Sequence, residues 1–590
     1  MISKFNVFND FTNGNLHIGD NKISFKGSIS SETTETAMVL KYTTTTPSED
    51  IQVRMNNSYT KLYNVDWGDG SEDTGITTNT KDHTYALAGT YEVKITGTFE
   101  APNFGGMSTT NRNKIVEFSN WGELKYVYLY QCFYQCINMN YTATDNPDLS
   151  TATANKTNIM RQMFYNCDAI TGTLDLSGWT NLECIGNYGM LSMFESVSNV
   201  KEINLSGWTL TNSDNATSLF KNVGRTNASG TIFTLNNITW TDNTSFASCF
   251  NGAKINTINL ANWTLKSSGS ISFSSFMINC LSDNSIALDL STWTNTAQMG
   301  TMTNFMRSDS DTNVWVSLNT TGWDTSGMTG MSFAFFNCQY LTEITGLNAW
   351  KGDSVTTLSN TFYNCKRLVF DTHNFHTTLW NQALTNLTDM GSCFRNVSNS
   401  TISVAPNVTD WDVSSVGIFS SCFNDAEFTT ALDVSSWDFS SATTLGAFMI
   451  NNKGTTSITL KNIPSSCTSL QQSFSTAELV TIIFDSSNDL SGVTTCLQIC
   501  YNTTSLTTLT FDASVSFASV TTWSSAFTNV TLDTTSYDAI LVRNDATNSN
   551  TPVTLTGGNS LYTKPTSAPA TARADLVTLG WTISDGGATP

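Results

Sequence analysis

Two short patterns of apolar and polar residues alternate along most of the chain. The first pattern is LDLSGW at Leu174, with the variants INLSGW at Ile203 and LDVSSW at Leu432. Alternation with a period of two predicts a strand that buries one face. Three or four residues cannot bury that face alone, so we expect successive strands to stack into a parallel ladder.

The second pattern lies between the strands and is exemplified by NIMRQMFYNC. It places Met160, Met163, Phe164 and Cys167 at positions i, i+3, i+4 and i+7. This spacing puts all four side chains on one side of a helical turn. Each repeat is therefore expected to contain a short strand, a turn and a short helix or 3₁₀ segment.

The aromatic position of the second pattern recurs fifteen times, at a mean spacing of about 28 residues. The residues in these slots are Phe133, Phe164, Phe194, Phe220, Phe250, Phe276, Phe305, Phe335, Phe362, Phe394, Phe423, Phe448, Phe474, Cys500 and Phe527. Tryptophans close the strand pattern at Trp179, Trp208, Trp240, Trp263, Trp293, Trp323, Trp350, Trp411 and Trp437. We predict that these side chains form the core of a solenoid of about fifteen coils.

Residues 115–535 resemble the BspA-type leucine-rich repeats of bacterial and phage surface proteins. The similar phrases are the strand with its Trp and the MxxMFxxC segment, which recur in order. After Trp437 the strand phrases become ITLKNI, IIFDSS and LTFDAS and lose the Trp. The period persists there, although the likeness to the family is weaker.

A different pattern precedes the repeats, with VDWGDGSEDTG, DHTY and AGTYEVKITG between residues 36 and 100. WGDG predicts a tight turn at the end of a strand, and TYEVKIT alternates as a strand does. The segment resembles a PKD-type domain, an immunoglobulin-like β-sandwich. The residues that carry this resemblance are Asp66, Trp67, Gly68, Asp69, Gly70, His83, Tyr85, Gly89, Tyr91 and Val93. The resemblance implies a spacer or adhesion module.

The predicted fold is mostly β with short helices: a PKD-like sandwich, then a leucine-rich-repeat-type solenoid, then a C-terminal cap. The predicted division is a leader or anchor at 1–35, the sandwich at 36–100, the solenoid at 101–535 and the cap at 536–590. For residues 1–35, a loose leader strand and a docking anchor remain equally open. In the cap, Ala570 to Leu579 predicts a helix and WTIS a strand.

Composition narrows the possible functions. Charged residues form 13% of the chain and give a net charge of −20, which disfavours nucleic-acid and membrane-surface roles. No apolar stretch is long enough for a membrane span, and the opening residues lack a secretory signal pattern. Thirteen cysteines follow the repeat, as Cys132 and Cys136 do, and are expected to be small buried core residues rather than disulfide or metal ligands.

Few residues suggest chemistry. Asp66 and Asp69 are weak calcium candidates, with hydrated surface carboxylates as the alternative. His373 and His376, in HNFH, are expected on a coil surface. Asp175, Asp289 and Asp433 recur in the strand pattern and predict a solvent-facing row. A converging pair among these three would instead suit glycan cleavage.

These features favour a non-enzymatic phage virion protein, as a head or tail fibre or a decoration protein, that binds a host-surface glycan or protein. No cofactor is expected, apart from possible calcium. Residues 1–35 are expected to contact other virion proteins, with several copies per assembly. The alternative is a BspA-type bacterial cell-surface adhesin, and a glycan-degrading tailspike is less favoured.

Overall fold

The computed structural model describes the greater part of the chain. The described residues are 36–150, 160–180, 182–183, 189–211, 215–310, 314–370, 384–397, 404–564 and 566–590, with strand backbone at 15–18 and 21–24. Over these residues the fold is mostly β: an antiparallel domain, a parallel solenoid and a helical cap. The predicted fold class is confirmed.

The antiparallel domain begins after a hairpin of β1 (Asn15–Ile18) and β2 (Asn21–Ser24). Its strands are β3 (Met38–Thr44), β4 (Glu49–Arg54), β5 (Lys61–Asp66), β6 (Glu72–Ile76), β7 (Thr80–Tyr85) and β8 (Gly89–Phe99). β3, β8, β5 and β6 form one sheet, and β4 pairs with β7 in another. In β3 every second residue is buried, as a strand with one face on a core requires.

The next strand joins the domain to the solenoid. After helix α1 (Thr109–Arg112), β9 (Ile115–Asn120) pairs antiparallel with β3 and parallel with β10 (Asn140–Tyr141). One sheet, in the order β10-β9-β3-β8-β5-β6, therefore crosses from the domain into the first coil.

The solenoid has three rows of short parallel strands. The first row is β11 (Thr173–Asp175), β13 (Glu202–Asn204), β15 (Thr231–Thr234), β17 (Ile255–Asn259), β19 (Ile286–Asp289), β21 (Trp315–Asn319), β22 (Glu343–Thr345), β23 (Ser457–Leu460), β24 (Thr481–Phe484) and β25 (Thr508–Phe511). The second row is β12 (Leu182–Glu183), β14 (Thr209–Thr211) and β16 (Thr239–Trp240). The third row is β18 (Ile271–Ser272) and β20 (Met299–Thr301), and isolated bridges extend it on both sides, as between Ser245 and Ser272 and between Thr301 and Gly330. Register keeps equivalent residues adjacent, as in Leu174 beside Ile203 beside Phe233.

The segment between strands is not a helix, and the predicted helical turn is wrong. In every coil the residue two before the slot has a positive φ, for example 53° at Gln162, and most coils repeat this two after the slot, as with 57° at Asn166. A left-handed residue every fourth position interrupts a helix. Alternate amides instead bond to the next coil, as when Phe164 N donates to Met193 O at 2.9 Å. The segment is a stack of turns, because its amides pair between coils.

The C-terminal cap closes the last coil. It contains α2 (Thr534–Thr547), β26 (Thr554–Thr556), α3 (Ala568–Leu579) and β27 (Thr582–Ser584). The helix and strand predicted from residue 570 onward are confirmed, whereas α2 was not foreseen. Asp533 begins α2 by accepting a hydrogen bond from Ser536 N, and Gly580, with φ of 110°, ends α3.

Candidate functional site

The aromatic residues of the motif between Asp66 and Tyr91 form one cluster on the antiparallel domain. The ring of Trp67 stacks on His83 with centroids 4.7 Å apart, His83 meets Tyr85 edge-on at 4.6 Å, and Tyr85 stacks on Tyr91 at 3.6 Å. The Tyr85 hydroxyl donates to Trp67 O at 2.6 Å. Trp67 and Tyr85 are fully buried. These residues therefore hold β5, β7 and β8 together.

The two calcium candidates of this motif are engaged in turns. Asp66 Oδ1 accepts from Gly68 N at 3.0 Å, and Asp69 Oδ1 accepts from Ser71 N at the same distance. Asp69 Oδ2 lies 2.9 Å from His83 Nε2. Burial opposes ionisation of Asp69, but the hydrogen bonds from Ser71 and His83 outweigh it and lower its pKa to about 2. A cation at Asp69 would have to displace these partners.

The motif glycines meet different requirements. Gly68 has φ of 77°, and a Cβ there would lie 2.5 Å from Glu92 O. Gly70 has φ of 92° and open space around it, so backbone conformation alone favours glycine. Gly89 lies against the ring of Tyr91.

The predicted repeat-core residues are buried. Phe164 stacks on Phe133 and Phe194 at 5.6 and 5.7 Å, and Phe394 stacks on Phe362 and Phe423 at 5.6 and 5.3 Å. The predicted core residues with at most 4% exposure are Phe133, Phe164, Phe194, Phe220, Phe250, Phe335, Phe362, Phe394, Phe423, Trp179, Trp208, Trp263, Trp293 and Trp437.

Three slots were placed one residue too early. Met277, Met306 and Met449 occupy them, because the left-handed residues Ser275, Asn304 and Ala447 lie two positions before these methionines. Phe276, Phe305 and Phe448 take the preceding position, which is also buried. Other coils place Cys132, Cys249, Cys393 or Cys422 at that position.

The tryptophans form a second row with a repeated hydrogen bond. Trp208 Nε1 donates to Leu176 O of the preceding coil at 2.7 Å, and Trp293 Nε1 to Leu260 O at 2.8 Å. Trp240 does not belong to this row: it pairs with Leu210 in the second strand row, so its predicted place is wrong. Its indole nitrogen is buried without a hydrogen-bond partner.

The recurring carboxylates end strands and do not converge. Asp289 Oδ1 accepts from Ser291 N at 3.0 Å and Oγ at 2.7 Å, and Asp175 makes the same turn with Ser177. Four coils separate Asp175 from Asp289, about 19 Å along the ladder. The coil neighbour of Asp175 is Asn204 and that of Asp289 is Asn319.

Asp433 makes the corresponding turn with Ser435 N, at 2.9 Å. Five coils separate it from Asp289, about 24 Å. The expected row is therefore present, whereas a glycosidase-like pair among these three carboxylates is contradicted.

The described cysteines are core residues. All twelve are free and buried, and Cys184 lies outside the described residues. Cys365 Sγ donates to Phe335 O at 3.0 Å, and Cys167 Sγ to Phe133 O at the same distance. Burial raises the pKa of the Cys365 thiol well above its usual range. The expectation of small buried residues is confirmed.

Two remaining expectations concern histidines and membranes. His373 and His376 lie outside the described residues. Within the described ranges, no three His, Cys, Asp or Glu side chains are grouped so as to hold a metal ion. No helix in the described part of the chain is long and apolar enough to cross a bilayer.

Hydroxyl side chains form a regular exposed row on the later coils. Thr443, Thr468, Thr494 and Thr521 are exposed, one per coil. Each Oγ donates to a carbonyl of the preceding coil, as Thr494 does to Thr468 O at 3.0 Å and Thr521 to Thr494 O at 3.0 Å. The hydroxyl orientations are thus fixed by the backbone of the neighbouring coil.

A more distinctive surface lies on the coils that carry Met306, Phe335, Phe362 and Phe394. We name it the arginine–aromatic strip, and its residues are Arg307, Phe333, Phe336, Tyr340, Tyr363, Arg367 and Arg395. Phe336 stacks on Tyr363 at 4.7 Å with 15° between the rings.

Arginines cover the ends of this stack. The guanidinium of Arg307 lies 5.2 Å from the centroids of Phe333 and Phe336, and that of Arg395 lies 5.4 Å from Tyr363. Beside the stack, Arg367 lies 4.9 Å from the ring of Tyr340. Such placements are typical of cation–π contacts.

The charge of the strip is only partly neutralised. Arg307 Nε pairs with Asp309 Oδ1 at 2.7 Å. Among the described residues, neither Arg367 nor Arg395 has a carboxylate partner. Sequence analysis missed this site, although an available signal was the recurrence of Phe336, Tyr363 and Arg395 one residue after successive slots.

Comparison with known proteins gives a family for the repeats. Residues 127–263, 271–399 and 365–486 match the family described as Mycoplasma protein of unknown function, DUF285. These matches cover more than half of the chain. The protein belongs to this repeat family. In this chain the repeats form a β-solenoid that follows an antiparallel domain. No curated protein and no solved structure matches the chain.

Proposed function

We propose that this protein is a non-catalytic display protein whose solenoid presents a binding surface to another cell or particle. The observation that carries the proposal is that side chains which could serve in catalysis or metal binding make structural hydrogen bonds instead. Asp289 ends a strand, Cys365 bonds to the neighbouring coil and Trp293 bonds to the preceding one. The outward-facing features that suit binding, within the described residues, include the hydroxyl row and the arginine–aromatic strip.

A regular array also suits surface attachment physically. Each coil offers nearly the same small contact, and several copies on one assembly would multiply weak contacts into avidity. The antiparallel domain, which is similar to PKD-type spacers, would set the solenoid away from the surface that bears it.

For the bearing surface, we propose a phage virion, where the protein would serve as a head or tail fibre or a decoration protein anchored through residues 1–35. The acidic, charge-poor, β-rich composition supports this location. A bacterial cell-surface adhesin is the second candidate. One observation favours the adhesin: the matched family is described as a Mycoplasma protein, and Mycoplasma is a cellular organism, not a phage.

Immunogold electron microscopy of the producing culture tests both locations. Antibody against residues 115–535 is applied to intact cells, thin sections and free particles. Label on capsids or tails is expected for a virion protein, and label confined to the cell envelope would replace it with the adhesin. Label found only inside cells, with none on either surface, would contradict the display function.

A further inference from the structure

We propose that the arginine–aromatic strip binds an acidic glycan, a polysaccharide that carries carboxylate or sulfate groups at intervals. The proposal rests on the display function above and names the ligand class of that function. The juxtaposition that carries it is two guanidinium groups, those of Arg367 and Arg395, which lie over aromatic rings on adjacent coils and have no carboxylate partner within the described ranges.

Charge makes this surface unusual within the molecule. The chain has 28 Lys and Arg against 48 Asp and Glu, yet the strip contains three arginines and no acidic residue of its own, and Asp309 beside it pairs with Arg307. Beyond about 8 Å the acidic surroundings are screened at physiological ionic strength. A ligand that touches the strip therefore meets local positive charge.

A guanidinium group that lies over an aromatic ring can keep its hydrogen-bond donors available to a ligand. A guanidinium group uses its flat face to cover a ring, while its N–H groups point outward in the plane. The guanidinium carbon of Arg395 lies over the ring of Tyr363, and that of Arg367 lies over the ring of Tyr340. Each can thus form paired hydrogen bonds to one carboxylate or sulfate. The rings also limit the rotamers of both side chains, so less entropy is lost on binding.

One ring is suited to contact the sugar itself. Tyr340 is 40% exposed, whereas the stacked pair Phe336 and Tyr363 cover each other's faces. An exposed tyrosine offers an apolar surface and a hydroxyl beside the Arg367 guanidinium. A sugar ring has matching parts, namely C–H groups on its faces and polar groups at its edge.

The geometry favours a sparse polyanion over nucleic acid. Duplex DNA carries a charge about every 1.7 Å, so the net charge of −20 opposes it over a long contact. Arg307 and Arg395 lie three coils apart, about 14 Å along the axis. An extended glycan of several sugars can span this length and place its acidic groups at Arg367 and Arg395.

The test measures binding to the full-length protein by titration calorimetry at low and physiological salt. The probes are a hyaluronan oligosaccharide for carboxylate, heparin for sulfate, dextran as the neutral polymer and a single-stranded DNA oligonucleotide for phosphate. We expect salt-sensitive binding of hyaluronan, heparin or both, and weaker binding of dextran and DNA. The two acidic probes distinguish the source of the anion.

The variants locate the site. The double variant Arg367→Ala/Arg395→Ala is expected to weaken binding by roughly tenfold or more. The matched control is Arg225→Ala combined with Arg543→Ala, which removes the same charge far from the strip and should leave the affinity within about twofold. Tyr340→Ala should weaken glycan binding and Tyr340→Phe should largely retain it, with circular dichroism confirming that all variants fold.

Three results would overturn the inference: no binding of either acidic glycan, equal losses in the strip and control variants, or DNA or dextran binding as tightly as the acidic glycans. These failures differ from failure of the display function. A surface-labelled protein that binds neither acidic glycan keeps its display role and loses this ligand. A protein labelled only inside cells loses the display role whatever the calorimetry gives.

Discussion

In the antiparallel domain, Trp67 belongs to a cluster that occurs once, whereas in the solenoid Trp263 and Trp293 belong to a row that neighbouring coils extend. Trp67 is held by the ring of His83, a hydrogen bond to Asp73 at 3.0 Å and the hydroxyl of Tyr85 on its carbonyl. Trp263 stacks on Trp293 at 5.0 Å and its indole bonds to the preceding coil.

The difference concerns how far a local defect spreads. A unique cluster has no substitute, so its loss affects every strand that meets there. A repeat depends on its own stability and on its two interfaces, so a defect spreads mainly to adjacent coils.

The largest effect is expected from Trp67→Ala. Because the side chain is fully buried, its removal should destabilise the domain by about 3–5 kcal/mol. Hydrogen exchange followed by mass spectrometry should show faster exchange throughout β3 to β8.

Trp263→Ala is the matched change in the solenoid. Its local cost should be similar, but faster exchange should be confined to its own and the adjacent coils. Faster exchange from the first coil to the cap would show that the solenoid unfolds as one unit, and the comparison would fail.

A smaller effect is expected in the asparagine row beside the slots. Asn364 has φ of 59°, donates to Asn337 and accepts from Asn396 at 2.7 Å. Asn364→Gly should cost about 1 kcal/mol for the lost hydrogen bonds, and Asn364→Ala about 1 kcal/mol more for the left-handed backbone. Urea unfolding measures both, and equal costs would show that the backbone conformation contributes nothing.

Acid should weaken the antiparallel domain through Asp69. Its pKa in the folded state is about 2, below the usual value near 3.9, so its stabilising contribution is complete above about pH 4 and lost as pH falls towards 2. Thermal unfolding between pH 2 and 6 should give a higher melting temperature for the wild type than for Asp69→Asn at pH 5. This difference in melting temperature should largely disappear by pH 2. A difference in melting temperature that does not change with pH would show that the ionised carboxylate is not its cause.

The smallest effect is expected from Cys365→Ser. A hydroxyl already makes this bond elsewhere, since Thr503 Oγ1 donates to Phe474 O at 2.6 Å. The serine should therefore cost about 1 kcal/mol or less, and Cys365→Val, which keeps the volume and loses the bond, should cost as much or more. A much larger loss of stability for serine would mean that the packing of the sulfur atom contributes more at this position than the hydrogen bond does.

Much of the architecture followed from the sequence because the two patterns bury side chains at fixed intervals. The slots at Phe133, Phe164 and Phe394 were found from spacing alone. Spacing could not separate Phe276 from Met277, because both neighbouring positions are buried and apolar. The polar residue in the left-handed position, Ser275, carries the missing information.

The helical turn was predicted wrongly for a related reason. Side chains at i, i+3, i+4 and i+7 share a face in a helix, and they also share one in these stacked turns. What differs is the backbone at Gln162 and Asn166, where φ is positive. The arginine–aromatic strip was missed because its contacts join residues about 30 positions apart, as in Phe336 with Tyr363 and Tyr363 with Arg395. Only a fixed register between coils makes them neighbours.

Strand β9 determines how force passes through the molecule. It is hydrogen-bonded to β3 on one edge and to β10 on the other, so the antiparallel domain and the first coil share a sheet. A Gly- and Ser-rich linker at this position would act as a loose tether and let the solenoid sweep a wide volume. The shared sheet instead holds the first coil rigidly against the antiparallel domain. A force applied at the far end of the solenoid therefore acts on all the backbone hydrogen bonds along β9 together. The face that carries the arginine–aromatic strip then keeps a fixed orientation relative to the antiparallel domain.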